Sequence, residues 1–449
     1  MYSATAVAPV LTHSPRPPPR NITLQVPLQP TEIPRPAGSP FTSAHIFLSA
    51  QFLPQVILAL LITLRAPRFL RVSFVVLHII YTTQFVWRLR NSRETGYTTG
   101  QVMGDYHLAS AATTQVLGSI VTLMMSLGTD TSGRSRTQVL DVVKHEDDVG
   151  QLESGKRPFL QRFYWAWSIV FSSRNIGTNV QVKNVPHTPA PRSRLRFIFA
   201  SLLRTAKYYL IIDVCMWYLH NPLICMRGRG GTRILTANQP LQMRCVSVLI
   251  LGSTGYALLQ MQYNLIAAVV VGLRLSKPKS WPKPFGNWRE AYTIRRFWGT
   301  TWHQILRKLI GPINSSLPLT HGTRLSSNIQ LIVGFSISAL IHFAGDLAGN
   351  VPLTPGLLKY PSTFFLVQPL GIMFEDLVTE LFGGGKSKTS EKGQDAKPSR
   401  GKRMLGYTWM FAWFVLTLPI FMDGQMAAGI GKDRVIPVEW SVVQRFVGY

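Results

Sequence analysis

From residue 45 onward the chain alternates between apolar runs and short basic connections. The runs occupy 45–64, 69–87, 106–127, 197–219, 245–273, 327–347, 357–381 and 404–423. Each is close to the ~20 residues with which an α-helix crosses ~30 Å of hydrocarbon. The pattern predicts an all-α integral membrane protein, a multi-pass helical bundle of about eight transmembrane helices, within a range of about seven to ten. The fifth run exceeds one ordinary crossing, so a tilt, a kink at Gly252 or Gly255, or a division into two pieces is expected there. The third carries Ser110, Thr113, Thr114, Gln115 and Ser119, which suit a helix that faces other helices and not lipid.

The connections differ in kind. Residues 1–43 form a Pro-rich tail without an apolar run, expected to be disordered or polyproline in character, and 44–449 form one membrane domain. No basic start followed by an apolar core marks a cleaved signal peptide. Residues 128–158 are hydrophilic, and Phe159 to Phe171 is aromatic enough for a helix lying at the membrane interface. Residues 383–403, rich in Gly, Ser and Lys, read as a flexible cytosolic loop. Cys215, Cys225 and Cys245 form no CxxC pair, so neither a disulfide framework nor a metal site is expected.

Charge sharpens the picture. The chain of 449 residues has 47 Lys plus Arg against 20 Asp plus Glu, a net +27, yet only 15% of its residues are charged and 46% are hydrophobic. A disordered chain is excluded by that apolar content, and a soluble one has about 25% charge. The positive excess admits nucleic acid as a partner, but it is scattered among loops and forms no single basic face, so no nucleic-acid binding is expected. Segment 274–326 carries ten basic residues and one acid, Glu290, and 382–403 carries seven basic residues. The positive-inside rule places both in the cytosol and 348–356 in the lumen. Arg227, Arg229, Arg233 and Arg244 then fall on the lumenal side, a conflict that an extra or re-entrant passage in 245–273 would remove. The sequon at Asn21 can report which side the N-terminal segment occupies.

Two histidines carry the candidate chemistry. His342 sits inside the apolar run Ile329–Leu347, where an ionisable group is costly and is usually functional. The alternative is a histidine bonded to a backbone carbonyl between helices. Imidazole can serve as a general base near neutral pH. Asp346 follows at i+4, within reach of His342 if the helix continues, or solvated at the lumenal helix end, the reading preferred here. The HxxxD spacing matches that of soluble CoA-dependent acyltransferases, but their Asp-Phe-Gly-Trp-Gly element is missing. His303 lies in Arg295 to Lys308, where cations and aromatics mix. On a helix Trp298, Trp302 and Ile305 share one face. That suits an interfacial amphipathic helix, or a segment that recognises a phosphorylated nucleotide such as coenzyme A.

These residues resemble a family. Phe297-Trp-Gly-Thr-Thr-Trp-His303 is similar to the Phe-Trp-x-x-x-Trp-His element of wax synthase-like proteins, which belong to the membrane-bound O-acyltransferases. It also aligns with the Phe-Tyr-x-Asp-Trp-Trp-Asn element of the sterol and diacylglycerol acyltransferases, with His303 at the Asn position. Ser173 to Asn179 and Lys183 to Pro186 look like the family's Arg-Gly-Ile-Gly segment, and His342 matches its membrane-embedded histidine. The family often has Gly where this chain has Asn175, and basic residues at Thr300 and Thr301. The fungal branch, with acetyltransferases of terpenoid and meroterpenoid pathways, looks like this chain in size and layout.

The resemblance implies a helical bundle with an internal tunnel, and an acyl-CoA-dependent enzyme of the endoplasmic reticulum. Acetyl-CoA, or another acyl-CoA, would be a co-substrate with no permanently bound cofactor. Acetyl transfer to a hydroxyl of a hydrophobic terpenoid or meroterpenoid is the implied reaction. Long-chain transfer to a fatty alcohol or sterol is the alternative. His342 and His303 would be catalytic. Arg295, Arg296, Phe297, Trp298, Trp302, Gln304, Arg307 and Lys308 would contact substrate or acyl-CoA. A transporter and a non-catalytic lipid-binding protein share the multi-span layout, but a transporter usually shows repeated halves, which this chain lacks.

Overall fold

The computed structural model describes residues 45–127, 158–186, 193–220, 239–320, 322–351, 360–382, 399–429 and 433–447, with the side chains of 124–127 excepted. Expectations for the 1–43 tail, Asn21, 128–157, Cys225, Arg227, Arg229, Arg233 and most of 383–403 fall outside those residues. The rest is helical: α1 (His45–Thr63), α2 (Arg68–Arg90), α3 (Val102–Leu127), α4 (Phe159–Phe171), α5 (Arg194–His220) and α6 (Leu241–Gly272), then α7 (Arg307–Ser315), α8 (Arg324–Ala348), α9 (Phe364–Phe382), α10 (Arg400–Ala427) and α11 (Val442–Val447).

A long helix stands at each of the eight apolar runs, but among the described residues five helices, α1, α2, α6, α8 and α10, are long and apolar enough to cross a membrane. The other three dilute their apolar residues. α3 is rich in small and hydroxyl side chains, α5 carries Arg204, Lys207 and Asp213, and α9 carries Glu375, Asp376 and Glu380. The outward faces hold Val76, Leu77 and Ile80 of α2 and Leu265, Ile266 and Val269 of α6, all well exposed, as a lipid-facing surface requires.

α8 is the centre of the bundle, packed on α2, α3, α7 and α9. Its contact with α3 depends on Gly345, where a Cβ would lie 2.5 Å from Ser110 Oγ and 2.7 Å from the Tyr106 ring. The small residue lets two helices approach closely without a hydrophobic driving force between them. α3 therefore faces other helices, as its hydroxyl residues indicate. α5 pairs with α6, and α1 with α4. Trp165, Ala166 and Ile169 of α4 are buried against Leu58, Ala59 and Ile62 of α1.

The expected break in the fifth run is absent. α6 is one helix of 32 residues, long enough for about 48 Å. Gly252 and Gly255 lie inside it, and a Cβ at either would meet open space. A re-entrant passage in 245–273 therefore does not resolve the conflict over the basic residues of 220–244, but Arg244 has another role. Pro419 in α10 lacks the N–H that would bond the Val415 carbonyl. Arg244 supplies the substitute, donating from Nε to Val415 O at 2.7 Å and from Nη2 to Leu416 O at 3.2 Å. That arginine serves a proline-interrupted helix and is no guide to topology.

Candidate active site

His342 lies in the far half of α8, partly buried. Its Nδ1 is 2.6 Å from the Tyr106 hydroxyl in the first turns of α3. The imidazole stacks on Phe365, with centroids 4.2 Å apart and planes 8° apart, and meets the edge of Phe421 at 5.5 Å. The ring is thus held by one hydrogen bond and two aromatic walls. His303 and His107 come close enough for electrostatic interaction with it.

Behind Tyr106 lies a second polar layer. Asp346 is 1% exposed, so the expectation of a solvated carboxylate is wrong. α8 runs on to Ala348, and the turn Pro361–Thr363 folds over it, where Ser362 N donates to Asp346 Oδ2 at 2.9 Å. Asp346 also interacts electrostatically with Tyr106, and Ser110 and Gln425 face the same hydroxyl. His342 bonds Tyr106, not Asp346.

The aromatic segment departs from the single helix expected across Arg295 to Lys308. A short α-turn, Ile294–Arg296, passes into a π-turn, Phe297–Thr301, closed by Trp302 N donating to Phe297 O at 2.7 Å. The chain then turns extended at Trp302. Such wide turns are frequent at functional sites. Gly286 fixes this one. Its N–H donates to Thr301 O at 2.9 Å, and a Cβ there would stand 2.0 Å from Thr300 O. Thr301 is fully buried, with its hydroxyl on Asn287 O at 3.3 Å, a place that would not accept a basic side chain.

As a result the tryptophans point inward, not along a membrane interface. Phe297 stacks on Trp302 at 5.4 Å. Trp298 donates from Nε1 to Gln368 Oε1 at 3.2 Å and lies 5.5 Å from Phe335 and 6.3 Å from Phe365. Phe365 is the ring under His342, so an aromatic file runs from the segment to the histidine. Trp413 also donates to Gln368 Oε1, at 3.1 Å. Gln304 is 1% exposed, with Nε2 on Trp302 O at 2.6 Å and Oε1 unpartnered. His303 has a buried, unpartnered Nδ1, and burial pulls its pKa down to about 4, so it is neutral at neutral pH.

The four cations have internal partners. Arg295 pairs with Asp376, and Glu375 accepts the backbone N–H groups of Ile294 at 2.6 Å and Arg295 at 3.0 Å. Arg296 pairs with Glu290 at 2.8 Å and lies over the Tyr292 ring at 4.7 Å. Arg307 donates to Gly299 O. Lys308 is buried and donates to Ile169 O at 2.6 Å and Ser172 O at 2.8 Å, the orphan carbonyls at the C-terminal end of α4. Burial pulls its pKa down to about 8.

The 173–186 segment braces this turn. Arg174 is 2% exposed and donates to Lys283 O at 2.8 Å, Pro282 O at 2.7 Å and Tyr263 Oη at 2.7 Å. Asn175 has φ +50°, which explains why a glycine position tolerates asparagine here. Asn184 reaches Gly299 O at 3.3 Å. Sequence reasoning missed Tyr106, Glu375 and Gln368. Tyr106 opens an apolar run and is 236 positions from His342, so no local spacing connects the two.

Residues 281–367, which contain both histidines, match the membrane bound O-acyl transferase family. Residues 193–272 match the aspirochlorine biosynthesis protein F C-terminal domain. The acetyltransferase eriL of Hericium erinaceus is 30% identical over 291 residues, which span 63% of this chain and 71% of the relative. The acetyltransferase ple2 of Rhodocybe pseudopiperita is 31% identical over 282 residues, 61% of this chain and 69% of the relative. The O-mevalon transferase macI of Penicillium terrestre is 31% identical over 294 residues, 60% of this chain and 62% of the relative. The match over both histidines and these relatives, two of them 30% and 31% identical and covered over more than two thirds of their own length, place the chain in the membrane bound O-acyl transferase family, as an acyltransferase.

Proposed function

We propose that this protein transfers an acetyl group from acetyl-CoA to a hydroxyl of a hydrophobic terpenoid or meroterpenoid, in the membrane of the endoplasmic reticulum. The observation that carries the reading is His342 held at 2.6 Å by Tyr106 at the end of an aromatic file. Nδ1–H of His342 donates to the Tyr106 oxygen, which leaves Nε2 unprotonated. Nε2 takes the proton of the acceptor alcohol as its oxygen attacks the thioester carbonyl. The C–S bond breaks and the proton passes to the CoA sulfur, so no acyl-enzyme forms. Asp346, through Tyr106, stabilises the transient imidazolium. General-base assistance of this type is worth about 10²–10⁴ in rate.

His303, neutral at neutral pH, hydrogen-bonds the acyl carbonyl, and Phe297, Trp298, Trp302 and Gln304 line the path of the acyl chain. The half-exposed Arg295 and Arg296 meet the phosphates of the donor on the cytosolic side, while Arg307 and Lys308 hold the turn in place. The domain is 44–449. A different short acyl group is the second reading, supported by the relative named an O-mevalon transferase. Membranes containing the protein, incubated with labelled acetyl-CoA and a panel of hydrophobic alcohols, test the proposal. Ester formation that disappears in His342→Ala, with the protein still in the membrane, is expected. Ester formed only from long-chain acyl-CoA would replace the acetyl reading, and full activity in His342→Ala would end the catalytic one.

A further inference from the structure

Tyr106 and Ser110 of α3 face α8, and Ser119 faces His78 of α2. A third stripe of the same helix has a different fate. Met103, His107, Ala111, Thr114 and Gly118 follow one another at i, i+4, i+8, i+11 and i+15, on one face. Both ends of that face are covered. Met103 packs on the cluster that holds Met216 of α5, Leu258 of α6 and Met422 of α10. At Gly118 a Cβ would lie 3.9 Å from Leu309 of α7. Between these ends His107 and Ala111 keep exposed surface, although His107 lies deep within the protein. An open helix face that protein encloses at both ends borders an internal space.

His107 is the conspicuous polar group on that face. Its ring meets the edge of Tyr106, with centroids 5.7 Å apart, and among the described residues neither ring nitrogen has a hydrogen-bond partner. It lies within electrostatic range of His342. Beyond it the face carries only the small side chains of Ala111, Thr114 and Gly118, and the Thr114 hydroxyl is already spent on Ser110 O at 2.8 Å. A neutral imidazole offers one N–H donor and one acceptor nitrogen. Water can pair with both in an open passage. A molecule that displaces this water must make the bond itself, or leave a polar group unpaired at a cost.

We propose that His107 is a specificity residue, which hydrogen-bonds a second oxygen of the acceptor alcohol while the reacting hydroxyl is at His342. The inference rests on the proposed acyl transfer for the identity of the occupant. The small residues beyond His107 leave width for the carbon skeleton, and the imidazole reads whether that skeleton carries a further hydroxyl or carbonyl. The acceptors selected are thus oxygenated beyond the hydroxyl that is acylated, and a hydrocarbon with one alcohol is disfavoured. A site built to bond such a group discriminates strongly against the analogue that lacks it. A reaction that installs oxygen on the skeleton must therefore precede this transfer.

The test measures acetyl transfer by the full-length protein in membranes, with pairs of alcohols that differ by one oxygen function: androsterone with androstanol, and hydroxycitronellol with tetrahydrogeraniol. Binding of the same four compounds is followed by thermal unfolding in detergent, which needs no turnover. Wild type is expected to favour the oxygenated member of at least one pair by roughly 10- to 100-fold, in kcat/KM or in apparent affinity. His107→Leu should bring that ratio near one, through the oxygenated member alone. His107→Gln, which keeps a donor and an acceptor, should retain part of the preference. A binding preference without ester, lost in His107→Leu, would support the role of His107 and end the transfer reading. Wild type that favours no oxygenated member, or a ratio unchanged in His107→Leu, would overturn the proposal. If His107→Leu does not fold, His107→Phe, which keeps a ring and removes both nitrogens, carries the same comparison.

Discussion

His342 and the Arg295–Lys308 segment treat ionisable groups in opposite ways. At His342 a single imidazole is held by one hydrogen bond, the face of Phe365 and an edge contact with Phe421, and its remaining nitrogen is the one the proposed reaction uses. In the basic segment each cation is tied to a carboxylate or a backbone carbonyl. The costly histidine in the apolar run is the group proposed for the chemistry, while each conspicuous cation of the basic segment has an internal partner. A buried ionisable group without a counter-charge signals function, and a paired one signals the folding of a loop.

Removal of the reactive group should give the largest effect. His342→Ala is expected to lower ester formation by about 10²–10⁴-fold, the range of general-base catalysis, with unchanged membrane insertion. The readout is labelled ester from matched amounts of protein. A smaller loss is expected from Tyr106→Phe, which keeps the ring and removes the hydroxyl that orients His342. One hydrogen bond to a charge-developing group amounts to roughly 5- to 100-fold in kcat. Its KM for the acyl donor should not move. A change in KM with constant kcat would place Tyr106 in donor binding instead.

The contrast also shows what the sequence could reveal. His342 was legible because an ionisable residue in an apolar run is locally anomalous. The segment 297–303 was legible as a motif, but its π-turn was not, since that depends on Gly286 and Asn287, which come from a preceding loop. Asp346 was misplaced because the turn at Ser362 that covers it is 16 residues downstream. The role of Arg244 was hidden because Pro419, whose missing N–H it offsets, is on another helix. Helix existence follows local hydropathy, whereas the partner of a polar group is a long-range fact.

Loss of an architectural cation should act on stability before chemistry. Lys308→Met leaves the carbonyls of Ile169 and Ser172 unpaired. A cost of roughly 1–3 kcal/mol is expected, seen as a lower thermal midpoint. Specific activity of the folded fraction at room temperature should be nearly unchanged. His303 links the two regions through pH. Its folded pKa is lowered from 6.5 to about 4, so the unfolded chain binds the proton more readily between these values. The stability its neutral form contributes is present above about 6.5 and is lost as the pH falls towards about 4. His303→Asn should flatten that part of the profile of thermal midpoint against pH. An identical profile would show that other groups set the acid limb.

The smallest effect, and the one that divides architecture from donor binding most finely, concerns Arg295. It is half-exposed and paired with Asp376, so its contribution to stability should be under about 1 kcal/mol. If the pair only holds the turn on α9, Arg295→Ala and Asp376→Ala should shift the thermal midpoint equally and leave KM for acyl-CoA alone. If Arg295 also meets donor phosphate, the two variants diverge. Arg295→Ala raises KM and weakens its dependence on salt, whereas Asp376→Ala removes a competing carboxylate and lowers KM. KM measured in both variants at low and high ionic strength therefore tells whether any charge in the basic segment is reserved for the substrate.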